Sequence, residues 1–387
     1  MSTDMKKIRN IALLGHGGNG KTTLAESILS ITGMTDRMGK VVDGNTVSDF
    51  DPEEIRRQIS ISAATMYANW QGYKINIIDT PGFFDFAGEV RQALRVADIG
   101  LICVSAKDGL NVGAEKSWKL LKADKKPRAI YISKLDEDHA DFDKTFDGLR
   151  EAFGNSVCAM TAPIKEGDKY VGIVDVITKK AFKIEGGKRV DIPVPGSMAD
   201  RLEELYTELA ESAAETSEEL MEKYFETMEL SPEEISGALS TAVADGSICP
   251  VFAGSAFTGL GTRILLDAVT AMFPEPSEQG KPLDPNGPAK VIVYKTISDQ
   301  FGKFSLFKVI SGKVTGDLTL TNARSGAQEK LGHIYTMQGK KSTEVQELGC
   351  GDFGAVSKLT DTKTGDTLCA PGAVEALPGI EFDVPCY

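Results

Sequence analysis

The sequence predicts an α/β domain with a mostly parallel sheet and helices on both faces, followed by a small antiparallel β-barrel. In the first part of the chain, short apolar runs alternate with helical segments, which is typical of a parallel sheet. These runs cover residues 8–14, 75–78, 99–104, 129–132 and 248–253. Five prolines within residues 274–288 then indicate a linker. Beyond them, strands separated by glycines, as in residues 302–312 and 316–322, favour the barrel.

Composition limits the class of protein. The 387 residues suffice for two or three domains, and 41% hydrophobic with 26% charged residues is typical of a globular protein. The net charge of −13 argues against nonspecific binding to DNA through bulk charge. The six scattered cysteines form no C-x-x-C pair, and no apolar run resembles a signal peptide or reaches membrane-spanning length. We therefore expect a cytoplasmic protein, a monomer, with no membrane partner.

The phosphate loop, which we define as residues 15–22, is the strongest motif. It reads G-x-x-x-x-G-K-T between an apolar run and a helical segment in which Leu24 and Ile28 share a face. Glycines let backbone N–H groups converge on a phosphate at a helix N-terminus. Lys21 would reach the β- and γ-phosphates, and the Thr22 hydroxyl would hold Mg²⁺. The candidate nucleotide-binding residues here are His16, Gly17, Gly18, Asn19, Gly20, Lys21, Thr22 and Thr23.

Three further motifs follow predicted strands. Asp79-Thr80-Pro81-Gly82 offers a carboxylate to the Mg²⁺ shell and the Gly82 N–H to the γ-phosphate. In Ser133-Lys134-Leu135-Asp136, the Asp136 carboxylate can accept hydrogen bonds from guanine N1–H and the 2-amino group. In Gly254-Ser255-Ala256-Phe257, a backbone N–H can reach guanine O6. Together, four short motifs in this order predict a guanine-nucleotide site at the carboxyl ends of the strands.

Other segments give local predictions. Residues 34–60 look like a mobile charged segment, and a hairpin with its turn at Gly72 follows. About residues 157–247, the alternation breaks, which predicts an α+β insertion. Within it, Ser231-Pro232-Glu233-Glu234 opens a helix as a capping box. A closing helix carries its apolar face on Leu265, Leu266, Val269 and Met272.

The four motifs make the chain resemble the translational GTPases, most closely elongation factor G and its paralogues. This resemblance implies an α/β P-loop GTPase domain over residues 1–275, a linker over 276–288, a barrel over 289–375, and a tail over 376–387 that starts a missing third domain. The chain would then be a fragment. GTP or GDP and Mg²⁺ would be its ligands, and the ribosome, both rRNA and ribosomal proteins, its partner. Residues 57–61 would be the first switch, where Ser60 replaces a threonine that binds Mg²⁺, alongside Thr22 and Asp79.

Departures from the family pattern suggest a divergent paralogue. Phe83 stands where the family has a histidine that orients the attacking water, so we expect slow hydrolysis with Lys21 and Gly82 as the remaining catalytic groups. Gly18 replaces an aspartate of the phosphate loop, which puts a monovalent-cation role in doubt. Ser133 replaces an asparagine that braces the base loop, so we expect reduced guanine affinity.

Three alternative functions stay open at the level of the sequence. One is a ribosomal protection protein of the tetracycline-resistance kind. The second is a nucleotide-binding regulator with little catalysis, and the third is an unrelated P-loop ATPase.

Purely structural interpretations apply to other residues. We expect Trp70 and Phe252 in the core, His333 on a surface or strand, and the acidic helices of residues 202–235 to present a solvated face. Six of the barrel lysines are interpreted as solubility residues rather than an rRNA footprint. They are Lys303, Lys308, Lys313, Lys330, Lys340 and Lys341.

Overall fold

The computed structural model describes residues 3–299 and 302–382, which fold as two compact units. The first unit comprises Met1–Ala12, Val41–Asp98 and Glu275–Tyr387, and the second comprises Leu13–Lys40 and Ile99–Pro274. The last five residues of the predicted tail, including Cys386, lie outside the described residues.

The described helices and strands are as follows. The helices are α1 (Lys21–Ile31), α2 (Pro52–Arg57), α3 (Ala87–Val96), α4 (Val112–Ala123), α5 (Phe142–Phe153), α6 (Ala199–Ala214), α7 (Glu218–Thr227), α8 (Pro232–Asp245) and α9 (Thr262–Met272). The strands up to the linker are β1 (Ile8–Leu14), β2 (Ala64–Trp70), β3 (Tyr73–Asp79), β4 (Ile99–Ser105), β5 (Arg128–Ser133), β6 (Val157–Ala159), β7 (Thr161–Glu166), β8 (Lys169–Asp175), β9 (Lys180–Glu185), β10 (Lys188–Ile192) and β11 (Cys249–Ala253). The later strands are β12 (Ser277–Glu278), β13 (Lys281–Pro282), β14 (Lys290–Asp299), β15 (Gly302–Ser311), β16 (Lys313–Thr315), β17 (Thr319–Asn322), β18 (Gln328–Lys330), β19 (Ile334–Gln338), β20 (Lys341–Val345), β21 (Glu347–Gly349), β22 (Phe353–Ser357) and β23 (Thr367–Cys369).

The second unit is built on parallel strands in the order β4-β5-β11-β6. Every residue of β4 and of β11 is buried, as expected of parallel strands covered on both faces. The return of the chain to this sheet at β11 confirms the predicted core strand. Phe252 within it is buried, also as predicted.

The predicted insertion carries its own antiparallel sheet, in the order β10-β9-β8-β7, together with helices α6, α7 and α8. Its first strand, β6, pairs with β11 in the parallel sheet. Helix α8 begins with the predicted capping box, in which the Ser231 hydroxyl accepts from the Glu234 N–H and the Glu234 carboxylate accepts from the Ser231 N–H. Helix α6 buries Leu202, Leu205 and Leu209, which leaves its acidic residues on the solvated face as predicted.

The first unit contains the predicted hairpin of β2 and β3. Its two turn residues, Gln71 and Gly72, both have positive φ (48° and 82°), as type I′ turns require. Trp70 is half-buried beside this turn, so the prediction that it is a core residue is wrong. Within residues 34–60, helix α2 has a capping box at Asp51 that our interpretation of a mobile segment missed.

Beyond the linker, antiparallel strands form the predicted barrel-like domain. Their order is β18-β17-β23-β14-β15-β22-β19-β20, with β16 paired to β21. The core between them consists of Val291, Val293, Phe307, Val309, Val314, Leu320, Leu331, Ile334, Leu348, Val356, Leu359 and Leu368. Where a linker was predicted, β12 and β13 form a short antiparallel pair.

One barrel lysine contradicts its predicted role. The side chain of Lys308 is only 2% exposed and its Nζ donates to Asp98 Oδ1 at 2.9 Å, so it is a buried ion-pair residue rather than a solubility residue. Lys313, Lys330, Lys340 and Lys341 are exposed. His333 is also exposed, with its Nδ1 2.7 Å from Glu344 Oε1, in agreement with the prediction.

Two further observations concern the described part of the chain. No helix there has both the length and the apolar composition needed to cross a membrane. Cys103, Cys158, Cys249, Cys350 and Cys369 are buried free thiols.

Candidate nucleotide-binding site

The phosphate loop connects β1 to α1. Gly18 and Gly20 adopt positive φ (82° and 83°), which turns the chain sharply before the helix. Gly20 is the N-cap of α1 and has no side chain to occupy the first N–H groups of the helix. Lys21 is buried, and its Nζ donates to the carbonyls of Gly15 and His16 at 2.9 Å each. An ammonium held above a glycine-rich turn at a helix N-terminus fits a nucleotide phosphate.

Close packing against β4 and α4 fixes the position of the phosphate loop. Gly15 has φ of 121°, and a Cβ there would lie 2.4 Å from the carbonyl oxygen of Cys103. Gly113 in α4 is equally constrained, because its Cβ would lie 2.6 Å from the Cβ of His16. Gly113 was not identified from the sequence, because no local motif marks a glycine that is required by the close approach of the phosphate loop.

The base loop, which we define as residues 133–136, follows β5 as predicted. The Ser133 hydroxyl is buried and lies 2.8 Å from the carbonyl oxygen of Asn19, to which it donates. Lys134 has a left-handed backbone, with φ of 63°, and its Nζ is 2.8 Å from Glu137 Oε1. Leu135 is buried and anchors the loop, whereas Asp136 is exposed. The Asp136 carboxylate is therefore accessible to a ligand.

The fourth motif lies beside the base loop. The Leu135 N–H donates to the Gly254 carbonyl at 3.3 Å. A Cβ on Gly254 would lie 2.2 Å from the carbonyl oxygen of Leu260, so only glycine fits there. Ser255 and Ala256 are buried, whereas Phe257 is 57% exposed with the Lys40 Nζ 5.2 Å from its ring centroid. The second unit thus brings three of the four predicted motifs together.

The remaining candidates belong to the first unit. Asp79 ends β3 and is buried, as is Pro81. Gly82 is half-buried, and Phe83, 40% exposed, precedes a short 3-10 turn at Phe84–Phe86.

The segment that contains Ser60 is held by a glutamate that we did not predict. Glu54 Oε1 accepts from the N–H groups of Ile61 and Ser62 at 3.0 Å each, and its Oε2 accepts from Asp51 N–H at 3.1 Å. A single buried side chain therefore fixes both the start of α2 and the segment after it. The capping-box spacing Asp51-Pro52-Glu53-Glu54 was the signal that could have identified it.

A lysine of the barrel strand β14 reaches the same segment. Lys295 Nζ donates to Ser62 Oγ at 2.5 Å, to the Ala63 carbonyl at 2.7 Å and to Glu89 Oε2 at 2.5 Å. Glu89 Oε2 also accepts from Ala63 N–H at 2.7 Å. Burial lowers the pKa of Lys295, and the Glu89 carboxylate opposes that shift. Residues 62–63 and α3 are thereby tied to the barrel.

The donor set for a metal ion is sparse. No cluster of three His, Cys, Asp or Glu side chains suited to a metal occurs in the described residues. The predicted ligands are two hydroxyls and one carboxylate, on Thr22, Ser60 and Asp79. Mg²⁺ is usually bound through one or two protein oxygens together with phosphates and waters, so the buried Thr22 hydroxyl at the phosphate loop suits Mg²⁺ carried by a nucleotide.

Comparisons with known proteins agree with this geometry. The family "Elongation factor Tu GTP binding domain" matches residues 6–275, and "Elongation factor G domain 2" matches residues 288–371. The chain is 34% identical to elongation factor G of Granulibacter bethesdensis over its whole length and covers 59% of that protein. It also resembles a crystal structure of a protein from Thermus thermophilus, with a TM-score of 0.90 and 32% identity, covering 98% of this chain and 56% of that one. The chain therefore spans less than three-fifths of the length of each relative.

Proposed function

Because the chain belongs to the translational GTPases, with an elongation factor Tu type GTP-binding domain and an elongation factor G domain 2, we propose that it is a GTP-dependent factor that acts on the ribosome in a translocation-type step. The observation that carries this proposal is the matched pair of domains over residues 6–275 and 288–371. A relative named elongation factor G, similar over the whole chain, supports it.

Within this proposal, the phosphate loop holds the phosphates of GTP or GDP. The Lys21 ammonium would exchange its contacts to Gly15 and His16 for phosphate oxygens, and the buried Thr22 hydroxyl would hold Mg²⁺. Asp79 and Ser60 are the further Mg²⁺ ligands that the family resemblance implies. When bound, Mg²⁺ neutralises charge that develops on the phosphates. Asp136 accepts hydrogen bonds from guanine, which an adenine nucleotide cannot donate.

We further propose that hydrolysis is slow. A phenyl ring neither accepts a proton nor hydrogen-bonds to water, so Phe83 cannot orient an attacking water molecule. The ring, 40% exposed, lacks the polar function that the family places there. The Gly82 N–H and Lys21 would then be the protein groups left to stabilise the transferred phosphoryl group, together with the bound Mg²⁺.

The decisive experiment is GTP turnover with and without ribosomes, preceded by a competition of GTP, GDP and ATP for the protein. We expect binding of guanine nucleotides only, slow turnover alone, and a stimulation by ribosomes that stays below that of a histidine-bearing factor. Preferential binding of ATP, or a stimulated rate equal to that of a histidine-bearing factor, would contradict the proposal.

A second candidate function follows from Phe83. A nucleotide-binding regulator would bind GTP and GDP with different conformations of residues 57–61 but hydrolyse neither. The same turnover assay separates the two, because ribosomes would leave the rate of a regulator unchanged.

A further inference from the structure

The network around Asn19 joins the phosphate loop to the base loop. The Asn19 side chain is 2% exposed, and its Nδ2 donates to the Cys103 carbonyl of β4 at 2.9 Å. Its Oδ1 lies 3.4 Å from the Nδ2 of Asn111, the residue that caps α4. Its backbone carbonyl accepts from the Ser133 hydroxyl at 2.8 Å. One residue therefore contacts β4, the cap of α4 and the first residue of the base loop.

This network shows how the chain can connect the two loops with a serine at position 133 instead of an asparagine. A serine hydroxyl has one proton and a short reach, so it cannot replace both donors of an asparagine amide. In this chain the amide is on the opposite loop, at Asn19, and its Nδ2 is directed to β4 instead. The hydroxyl of Ser133 lies 2.8 Å from the Asn19 carbonyl oxygen and 3.1 Å from the Val104 carbonyl oxygen of β4, so its short reach is enough to contact the phosphate loop.

We propose that Asn19 is a positioning residue that fixes the distance between the phosphate loop and the base loop, and through it the strength with which Asp136 recognises the 2-amino group of guanine. This inference rests on the proposed guanine-nucleotide binding. When the phosphate loop holds the phosphates of a nucleotide, the length of the nucleotide fixes how far away its base lies, and the base loop must be at that distance. A loss of order in either loop therefore weakens the directional hydrogen bond at Asp136 more than it weakens the rest of the binding.

The test compares GDP with IDP, which lacks only the 2-amino group, as competitors of a fluorescent GDP on the full chain. In the native protein we expect GDP to bind about tenfold more tightly than IDP, since the lost hydrogen bond is to a carboxylate. For Asn19→Ala we expect this GDP/IDP ratio to fall by about threefold or more. Ser133→Ala should lower it in the same direction, because it removes the hydrogen bond to the Asn19 backbone carbonyl, which Asn19→Ala leaves in place. The double variant should lose less than the two single effects combined, because both residues act on the same contact between the loops.

The matched control is Asn322→Ala in the barrel. Asn322 is an equally buried asparagine, and its Nδ2 donates to Asp366 Oδ2 at 2.8 Å. Its replacement should lower the melting temperature and leave the GDP/IDP ratio unchanged.

The GDP/IDP ratio separates positioning from general stability. A fallen ratio in Asn19→Ala with an unchanged ratio in Asn322→Ala supports the inference. Equal weakening of GDP and IDP in Asn19→Ala would show a purely structural role and overturn it. If Asn19→Ala does not fold, Asn19→Ser takes its place, since it also removes the hydrogen bond from Asn19 Nδ2 to the Cys103 carbonyl, and a fallen or unchanged ratio in that variant supports or overturns the inference in the same way. A native protein that binds neither nucleotide would instead refute the proposed function itself.

Discussion

The ring of Phe83 follows the Asp79-Thr80-Pro81-Gly82 turn with 40% of its surface exposed. An imidazole placed there would add the hydrogen-bonding group that the phenyl ring lacks. We expect Phe83→His to raise the ribosome-stimulated rate of GTP hydrolysis by about 10²-fold, the usual contribution of one positioned acid–base group. Affinity for GDP should stay the same, because the ring is not among the groups that we place on the nucleotide.

Phe84 provides the control for this change. It is the next residue and is 46% exposed, so Phe84→His introduces the same group one position away. Acceleration in both variants, or in neither, would argue that the position of Phe83 has no special relation to the attacking water.

Lys308 and Asp98 form an ion pair in which each side chain is only 2% exposed. The Lys308 Nζ also donates to the carbonyls of Val96 and Ser277 at 2.9 and 3.1 Å. Replacing one member of such a pair leaves an uncompensated buried charge, so Lys308→Met should lower the free energy of unfolding by about 3 kcal/mol. Denaturant titration measures this change. Lys313→Met is the control, because Lys313 is exposed in its pair with Glu347 and should contribute less than about 0.5 kcal/mol.

The buried position of Lys308 could not be predicted from the sequence around it. In the sequence it is one of the six barrel lysines that we interpreted as solubility residues, and four of the other five are exposed. What distinguishes it is a carboxylate 210 positions earlier in the chain. The phosphate-loop residues were predictable because their spacing itself encodes backbone geometry. Asn111 and Gly113 were not, because they act through a contact formed only in the fold.

At the scale of elements, the tip of the β19–β20 hairpin packs on the edge of β2. The Gly339 N–H donates to the Thr65 carbonyl at 2.9 Å, and Gln338 Oε1 accepts from the Tyr67 N–H at 3.0 Å. One backbone bond and one side-chain bond thus satisfy polar groups on the edge of β2 that does not pair with β3.

A methyl group added at Gly339 would disturb this packing. Its φ is 57°, and a Cβ there would lie 1.9 Å from the carbonyl oxygen of Val47. We expect Gly339→Ala to lower the free energy of unfolding by about 2–4 kcal/mol, since the clash adds to the cost of a left-handed backbone. Position 326 has φ of 76° but open space around a new methyl group, so Gly326→Ala should cost only about 1 kcal/mol. Similar losses in both variants, measured by thermal unfolding, would contradict a role for the Val47 contact.

The elements that were predictable are those with a local signal. The β2–β3 hairpin follows from its turn, and α8 follows from its capping box and from Gly246, whose φ of 79° ends the helix. Helix α2 has the same capping signal but only six residues, and its charged composition resembled a mobile loop. The Glu54 carboxylate accepts hydrogen bonds from the N–H groups of residues 61 and 62, outside the helix. A periodic sequence pattern cannot predict such contacts.

For the molecule as a whole, the order of segments along the chain was easier to predict than their grouping. The first unit collects three separate stretches, and its buried polar contacts span long sequence separations. Lys74 Nζ donates to Asp352 at 2.8 Å, 278 positions away, and Thr65 shares a hydrogen bond with Tyr294 across 229 positions. Such pairs arise from the folded arrangement, so a domain boundary drawn from composition cannot reveal them.

This grouping makes residues 62–63 and α3 dependent on the barrel through Lys295. Lys295→Met removes the ammonium shared by Ser62, Ala63 and Glu89, and it leaves the Glu89 carboxylate partly buried without its cation. We therefore expect faster amide hydrogen exchange in residues 57–66 and 85–96, by about tenfold or more if the loss exceeds about 1.4 kcal/mol, with strands β17 and β18 unchanged. Lys303→Met is the control, because Lys303 Nζ donates within the barrel to the Thr362 carbonyl and should leave both segments protected. Equal protection in Lys295→Met and the native protein would mean that these segments are held without the lysine, and their tie to the barrel would have to be sought in the Thr65–Tyr294 contact instead.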